Sequence, residues 1–562
     1  MKGKSSTPRL TLGAAARGVC LMTAVLALVA CGGGSKSTTS ASYTVGGTIA
    51  GLNAGSVVLI YNGSTTLTVS SGATTWVFPS PFPTGTSFAV TVLANPVGEL
   101  CEVTSGGSGT ALTANVTDVS VVCTDFGQWT WEAGLDTVNA SGVSGTLGAT
   151  AASNQPGSRY DSSSWTDSSG NLWLFGGYGY DSAGSAGYLN DLWRYSPGTG
   201  QWVWLGGSNG DNTSGLYGTL GTAAAGNMPG ARYSASSWID ASGNLWLFGG
   251  YGYDSTGAVA NLNDLWQYNP TTGLWTWVSG GVGGNASGVY GTLGTAAAGD
   301  VPGARYSASS WIDSSGNLWL FGGVGDDSTG AAGNLDDLWQ YSPSTGLWTW
   351  VSGGNTANAA GVYGTEGTAA AGNLPGARQG ASSWIDSSGN LWLFGGYGYG
   401  STTGTGYLND LWQYTPATGL WTWVSGGNAD NASGVYGTEG TTIAGSLPGS
   451  RQAASAWADS SGNLWLFGGA GYDSNGAVGV LNDLWRFAPS TGQWTWVSGS
   501  SSDNAGGAYG TQGAVSISTV PGARQAASSW IDSSGHLWLF GGAGFGSSGN
   551  GYLNDLWQFV PP

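Results

Sequence analysis

One block of sequence recurs at a fixed period, and this period restricts the possible folds more than any other feature. The block reads Arg-x5-Trp-x-Asp-x2-Gly-x-Leu-Trp-Leu-Phe-Gly-Gly, and an Asp-Leu-Trp follows every copy. Its copies begin at Arg159, Arg232, Arg305, Arg378, Arg451 and Arg524. Self-similarity at a fixed period is typical of folds in which every copy forms the same supersecondary unit. The sequence therefore predicts six equivalent units.

Each copy contains four short apolar runs that indicate strands. In the second copy these runs are Tyr233–Asp240, Leu245–Phe248, Leu265–Tyr268 and Trp275–Val278. They are rich in Trp, Tyr, Leu and Val and are bounded by Gly, Pro, Asp and Ser. Gly243 and Gly273 each end a tight connection, where a hairpin needs positive φ. The pattern predicts an all-β fold of four-stranded antiparallel sheets, which is typical of propeller blades.

The two ends of the array indicate how the fold closes. Trp129-Thr130-Trp131 lies one period before Trp202-Val203-Trp204 but has no preceding strands of its own. The last copy stops at Val560 without a Trp-x-Trp. We therefore predict that the early segment completes the last sheet and closes a six-bladed ring, which also protects the sheet edges.

Three features of the repeat resemble the kelch repeat, including the propeller of galactose oxidase. They are the Gly176-Gly177 doublet after the second run, the aromatic residues Trp193 and Tyr195 of the third run, and the Trp of the fourth run. The resemblance covers residues 126–562 and implies a six-bladed kelch-type β-propeller, a fold that serves mainly as a binding platform. Copper-radical oxidases of this type use two His ligands and a Cys–Tyr crosslink, whereas this region has one His and no Cys. We therefore expect neither oxidase chemistry nor a metal or other cofactor.

Long connections point to one functional face. About 26 residues join Val278 to Arg305, and connections of that length are usually functional. Because strands alternate in direction, these loops emerge on the same side as the connections between the second and third strands; we call this side the long-loop face. It is rich in Tyr, including Tyr363 and Tyr436 and the Tyr-Gly-Tyr segments that begin at Tyr178, Tyr251 and Tyr397. We predict that exposed loop tyrosines bind a surface protein or a glycan.

The repeated arginines begin the first strand on this same face. One hypothesis is that all six surround the mouth of the central channel and bind a carboxylate ligand in bidentate fashion. The alternative is that each pairs with the Asp that opens the third strand of its own unit, as Arg378 would with Asp410. The repeat symmetry breaks immediately after the arginines, where Tyr160, Tyr233 and Tyr306 give way to Gln379, Gln452 and Gln525.

A competing hypothesis is an enzyme acting on an acidic sugar, such as a kelch-type mutarotase. Glu366 and Glu439 occupy equivalent loops of adjacent units and would act over the channel as acid and base. Since His536 is the single His and no Lys follows Lys36, neither a Ser-His-Asp triad nor Schiff-base chemistry is available. A third hypothesis is a purely architectural surface protein. We favour the binding protein.

Tryptophan is the dominant large residue of the repeats. All of the 31 Trp except Trp76 occupy five fixed positions per period. Such positions indicate packing between sheets rather than platforms for sugars.

The N-terminus carries targeting information. Basic residues precede an apolar stretch from Val19 to Ala30, and Leu28-Val29-Ala30-Cys31 resembles a bacterial lipobox. This stretch is too short for a permanent membrane span. We predict a signal peptide at 1–30, lipidation of Cys31, a flexible tether at 31–42, and a lipid anchor in the cell envelope, where Gly32 favours the outer membrane. The alternative is an ordinary secreted signal.

Residues 43–125 form a further predicted domain, ahead of the propeller at 126–562. The alternating runs Val57–Tyr61, Phe88–Leu93 and Val116–Val122 indicate a small Ig-like β-sandwich, with a disulfide between Cys101 and Cys123. The net charge of −18 makes nucleic acid a poor partner. We expect a monomeric, exported binding protein.

Overall fold

The computed structural model describes residues 41–561 apart from 54, 97–98, 126 and 517. All regular secondary structure in these residues is β. No helix among them is long and apolar enough to cross a membrane. The predicted signal peptide, Cys31 and nearly all of the predicted tether lie outside the described residues.

The first described region contains two four-stranded sheets, and the predicted runs all lie in strands. One sheet has the order Thr75–Val77, Val45–Ala50, Val116–Asp125, Glu99–Ser105. The other has the order Thr65–Ser70, Ser56–Tyr61, Phe88–Ala94, Ser108–Gly109. A short pair joins Ser42–Tyr43 to Phe82–Pro83. The predicted Cys101–Cys123 disulfide is confirmed, and it joins directly opposed residues of two neighbouring strands.

Each copy of the repeat forms an antiparallel arrangement of four strands, numbered here from first to fourth. The first strand has two segments: Arg159–Tyr160 and Ser163–Thr166, Arg232–Tyr233 and Ser236–Ile239, Arg305–Tyr306 and Ser309–Ile312, Arg378–Gln379 and Ser382–Ile385, Arg451–Gln452 and Ser455–Ala458, Arg524–Gln525 and Ser528–Ile531. The second strands are Leu172–Tyr180, Leu245–Tyr253, Leu318–Phe321 with Val324–Asp326, Leu391–Tyr399, Leu464–Tyr472 and Leu537–Phe545. The third strands are Ala186–Ser196, Val259–Asn269, Ala332–Asn334 with Leu338–Ser342, Thr405–Thr415, Val478–Ala488 and Asn550–Val560. The fourth strands are Gln201–Gly206, Leu274–Ser279, Leu347–Ser352, Leu420–Ser425, Gln493–Ser498 and, for the last unit, Gln128–Ala133.

The Gly-Gly doublet lies inside the second strand rather than at its end. In the second unit Phe248 pairs with Leu265, and the register then shifts so that Gly250 pairs with Leu262. Gly249 and Gly250 both have positive φ, and a Cβ on Gly249 would lie 2.7 Å from the Arg305 carbonyl oxygen of the next unit. The register shift is a β-bulge, and the backbone pairing of the second and third strands continues beyond it. The Tyr-Gly-Tyr segments therefore lie within the second strands. The prediction that they lie in loops is wrong.

The predicted pairing of the two ends of the array is present. Trp129 and Trp131 lie opposite Phe559 and Trp557, so the segment before the first full copy supplies the fourth strand of the last sheet. Its order from the edge is Gln128–Ala133, Asn550–Val560, Leu537–Phe545, Arg524–Gln525.

A closed ring of backbone hydrogen bonds joins the first strands. Between the two segments of each first strand, one N–H donates to the carbonyl of the equivalent residue in the preceding unit, at 2.7–3.0 Å. The ring runs through Asp161, Ser234, Ser307, Gly380, Ala453 and Ala526, and Asp161 closes it by donating to Ala526. All of these residues have positive φ. The first strands are therefore the innermost, and this ring of hydrogen bonds surrounds the axis of the central channel.

The core lies between adjacent units. For example, Trp165, Trp173 and Phe175 of one unit pack with Leu247 and Trp275 of the next, and all are at most 3% exposed. At the fourth strand the first Trp is buried and the second is half-buried. The prediction that the fixed Trp positions serve packing is confirmed for this core.

Candidate functional site

Every repeated arginine is buried in an ion pair within its own unit. Arg378 is 1% exposed, and its two terminal nitrogens donate to the two carboxylate oxygens of Asp410 at 2.6 and 2.8 Å. It also donates to the carbonyl oxygens of Gly376 and Gly395, each at 2.9 Å. The same bidentate pairs are Arg159–Asp191, Arg232–Asp264, Arg305–Asp337, Arg451–Asp483 and Arg524–Asp555.

The aspartate of each pair accepts further hydrogen bonds. Asp410 Oδ2 also accepts from the indole of Trp412 at 2.7 Å and from the hydroxyl of Tyr363 at 2.6 Å. Burial alone would lower the pKa of Arg378, but the Asp410 charge and its hydrogen bonds raise it above the usual value. Burial and the same carboxylate raise the pKa of Tyr363. The network is therefore satisfied internally, with the arginine charged and the tyrosine neutral.

This placement corrects two predictions. The arginines Arg159, Arg232, Arg305, Arg378, Arg451 and Arg524 do not present free guanidinium groups to the channel, because each is occupied by its aspartate. Tyr363 is buried and Tyr436 is half-buried with its hydroxyl on Asp483, so the prediction that they are exposed loop tyrosines is wrong. The physical reason is that the long loops fold back onto the next unit.

The long loops lie against the outer edge of the fold. Gly367 N–H donates to the Trp423 carbonyl at 2.7 Å, and Gly440 N–H donates to the Trp496 carbonyl at 2.8 Å. Trp423 and Trp496 belong to fourth strands, which are outermost. Glu366 and Glu439 are therefore exposed on the rims of two different units. The prediction that they meet over the channel is wrong.

The mouth of the channel on the long-loop face contains a cavity, here called the mouth cavity. Its volume is 320 Å³, and the ring of backbone hydrogen bonds contributes to its lining. The residues that follow the arginines line it: Tyr160, Tyr233, Tyr306, Gln379, Gln452 and Gln525. One half of the wall is thus aromatic and the other half is amide, which is the break in symmetry noted in the sequence.

The aromatic half belongs to a continuous set of tyrosines, here called the tyrosine cluster. Ring centroids lie 5.0 Å apart for Tyr160 and Tyr552, 5.2 Å for Tyr178 and Tyr188, and 6.1 Å for Tyr233 and Tyr306. The cluster comprises Tyr160, Tyr178, Tyr180, Tyr188, Tyr233, Tyr251, Tyr253, Tyr306 and Tyr552. Most of these rings are half-buried and stand on the long hairpins between second and third strands.

Asp161 supplies the single carboxylate among the residues that line the mouth cavity. Burial raises its pKa to about 6, while the Ser234 hydroxyl favours the ionised form. Among the described residues no Arg, Lys or His forms an ion pair with it. The equivalent residues of the other units are Ser234, Ser307, Gly380, Ala453 and Ala526.

The repeat pattern in the sequence did not indicate Asp161 as a site residue. The available signal was that one copy places a charged residue at a position that is Ser, Gly or Ala in the others. Asp also tolerates positive φ better than most side chains, and Asp161 has a φ of 54°. An Asp at a position of positive φ is therefore readily explained by the backbone alone, and its place in the cavity cannot be recognised from the sequence.

A second cavity of 630 Å³ occupies the opposite end of the channel. Tryptophans and isoleucines of the first strands contribute to its lining. Asp386, one of its two carboxylates, accepts from the N–H groups of Ser388 and Asn390 at 2.9 Å. Within the described residues, the one group with potential metal ligands is Glu99, Cys101 and Cys123, and its two sulfurs are bonded to each other. The mouth cavity is therefore the better candidate site.

Residues 293–498 match the family described as the KLHDC2/KLHL20/DRC7 Kelch-repeats domain. The match extends from the loop before the third arginine to the fourth strand of the fifth unit. Together with the repeated four-stranded sheets, it supports a kelch β-propeller. No curated protein matches the chain.

Proposed function

We propose that the chain is an exported, lipid-anchored protein of the cell envelope whose closed six-bladed propeller binds a surface protein or glycan through the long-loop face. The observation that carries this proposal is the tyrosine cluster around the mouth cavity. Tyrosine offers a large apolar surface together with a hydroxyl, at little cost in conformational entropy. The binding surface is therefore placed on the long hairpins and not on the loops at the outer rim.

Three further parts of the proposal rest on separate observations. The count of six blades is supported by the six pairs of arginine and aspartate and by the ring of backbone hydrogen bonds that returns to Asp161. An Ig-like spacer is supported by the two packed sheets of residues 42–125. Anchoring at the outer membrane through Cys31 is supported by the lipobox-like sequence alone.

Catalysis by Glu366 and Glu439 is not part of the proposal, because the two residues lie on the rims of different units. The buried arginines, the buried Tyr363 and the half-buried Tyr436 are assigned to the fold. Binding by the tyrosine cluster needs none of these groups to be accessible.

A screen of the purified full-length protein against glycans and surface proteins tests the function. Tyr251 and Tyr253 belong to the tyrosine cluster, whereas Tyr397 and Tyr399 hold the same repeat positions outside it and are equally half-buried. Replacing Tyr251 and Tyr253 with Ser should weaken binding about tenfold or more, as expected for aromatic anchors. The matched pair of changes at Tyr397 and Tyr399 should have little effect. Equal losses from both pairs would argue against the cluster as the binding surface.

A further inference from the structure

The mouth cavity holds a negative charge without a positive partner. Asp161 lines this cavity together with Ser234, Tyr160, Tyr233 and Tyr306. By contrast, the six aspartates beside the repeated arginines are paired, and Asp386 at the opposite end of the channel accepts from backbone N–H groups. Keeping an ionised carboxylate partly buried is costly unless an opposite charge or several donors approach it. A bound cation, or a proton on the carboxyl group, would therefore stabilise Asp161 in this cavity.

The remaining wall of the cavity suits an organic cation. Tyrosine rings attract ammonium and guanidinium groups through their faces, and the attraction grows when the site excludes water. The amide oxygens of Gln379, Gln452 and Gln525 and the tyrosine hydroxyls accept hydrogen bonds from N–H groups. A volume of 320 Å³ admits a small head group but not a folded domain. The net charge of −18 also favours the approach of cations.

We propose that the mouth cavity binds an organic cation, an ammonium or guanidinium group, with Asp161 as its counter-ion and the surrounding tyrosines as its aromatic wall. This inference rests on the proposed function and gives it a ligand chemistry. The group belongs either to a free small molecule or to a Lys or Arg side chain of a surface protein. Because Asp161 occurs in one unit, one cation binds per propeller.

Calorimetric titration of the purified full-length protein with Nα-acetylarginine amide, here called arginine amide, tests the site. Nα-acetylcitrulline amide, here called citrulline amide, is the matched neutral probe, since it replaces the guanidinium with a urea of nearly the same shape and neither probe has a free α-amine. We expect arginine amide to bind at pH 7.5 and citrulline amide to bind at least about tenfold more weakly. A blocked Gly-Arg-Gly peptide identifies the source: binding of the peptide indicates a protein side chain, and binding of the free amide alone indicates a small molecule.

Two variants assign the binding to Asp161. Asp161→Asn removes the charge and retains a residue type that tolerates positive φ, and Asp161→Ser copies Ser234 and Ser307 at the same ring position. Both should lose at least about nine-tenths of the affinity for arginine amide. The control is Asp118→Asn, which changes the net charge equally on an exposed residue of the first domain and should bind like the unaltered protein.

The pH dependence gives an independent readout. A carboxyl that titrates near pH 6 is mostly protonated at pH 5, so affinity should fall about tenfold from pH 7.5 to pH 5. The titratable groups that face Asp161 are Tyr160, Tyr233 and Tyr306; burial raises the pKa of each, so they stay neutral throughout this range. The two Asp161 variants should lose this dependence.

The proposal is overturned if arginine amide does not bind at millimolar concentration, if citrulline amide binds equally well, or if Asp161→Asn binds like Asp118→Asn. A surface partner that binds the unaltered protein and Asp161→Asn equally, but not the Tyr251 and Tyr253 variant, would overturn the cation site and leave the proposed binding function in place.

Discussion

Asp336→Asn should stabilise the protein, most strongly above pH 7. Asp336 is 1% exposed and precedes Asp337, the ion-pair partner of Arg305. Its Oδ1 accepts from the Gly354 N–H at 3.2 Å, but its Oδ2 has no hydrogen-bond partner among the described residues. The other five units place Asn at this position: Asn190, Asn263, Asn409, Asn482 and Asn554.

The equivalent asparagines show what the third unit lacks. Asn409 donates through its side-chain amide to the Pro448 carbonyl at 3.3 Å, and Asn482 donates to the Pro521 carbonyl at 3.1 Å. An ionised Asp336 cannot donate to the corresponding proline carbonyl. Burial, and then the charge of Asp337, raise the pKa of Asp336 to about 7.

The sign of the pH dependence follows from this raised pKa. Between pH 4 and pH 7 the folded state holds a proton on Asp336 that the unfolded state releases, so stability falls as pH rises through this range. The maximum penalty, reached above pH 7, is about 4 kcal/mol for a pKa that rises by about three units. Since relaxation reduces such penalties, we expect Asp336→Asn to add about 2–4 kcal/mol at pH 8 and much less at pH 4.5.

Denaturant unfolding at pH 4.5 and pH 8, followed by Trp fluorescence, measures the effect. Asn409→Asp is the matched reverse change and should destabilise the protein with the same dependence on pH. If Asp336→Asn gave no gain at pH 8, or the same gain at both pH values, the reasoning from the buried carboxylate would be wrong.

Three other predictions concern the ion pairs, the closure of the ring and the anchor. Arg378→Met should lower the free energy of unfolding by about 3–5 kcal/mol in the same assay, because it leaves Asp410 buried and unpaired. Adding Asp410→Asn should recover part of this loss, and an unchanged unfolding midpoint in Arg378→Met would contradict the role of the pair. Deleting residues 126–132 should speed hydrogen exchange around Trp557 more than in the other sheets, whereas uniform exchange would exclude pairing of the two ends. Cys31→Ser should release the protein from the membrane fraction, and intact mass should show lipid on a terminal Cys31 of the unaltered protein; an unmodified terminus there would refute anchoring.

The repeat period predicts the parts of the fold that follow from the equivalence of the six copies. The hairpin at Gly243, the pairing of Trp131 with the last third strand and the packing of Trp165 all follow from which residues recur and which strands are missing. The alternative that paired Arg378 with Asp410 was also available from the sequence. Recurrence in every copy is what a structural role requires.

The period cannot show where a long loop lies. The loop that contains Tyr363 follows one unit but packs on the fourth strand of the next, where Ala370 pairs with Trp421. This tertiary contact, and not any local pattern, buries Tyr363 and carries Glu366 to the rim. Likewise, the positive φ of both doublet glycines extends the hairpins that bring Tyr178 and Tyr251 to the mouth.

The role of Asp161 could not be predicted from the repeat for a different reason. A single departure from the repeat carries little weight in a pattern built from six copies. Its importance depends on the ring of backbone hydrogen bonds, which fixes its position in the channel, and on tyrosines from neighbouring units. Both are properties of the closed assembly.

Hydrogen exchange of the full-length protein with and without its strongest partner from the glycan and surface-protein screen tests the central claim most directly. Binding at the mouth should slow exchange in the hairpins at residues 178–188 and 251–261 and leave the matched hairpin at 397–407 nearly unchanged. Protection confined to the rim loops, such as residues 363–374, or to the turns at the opposite end, such as 240–243, would contradict binding through the tyrosine cluster.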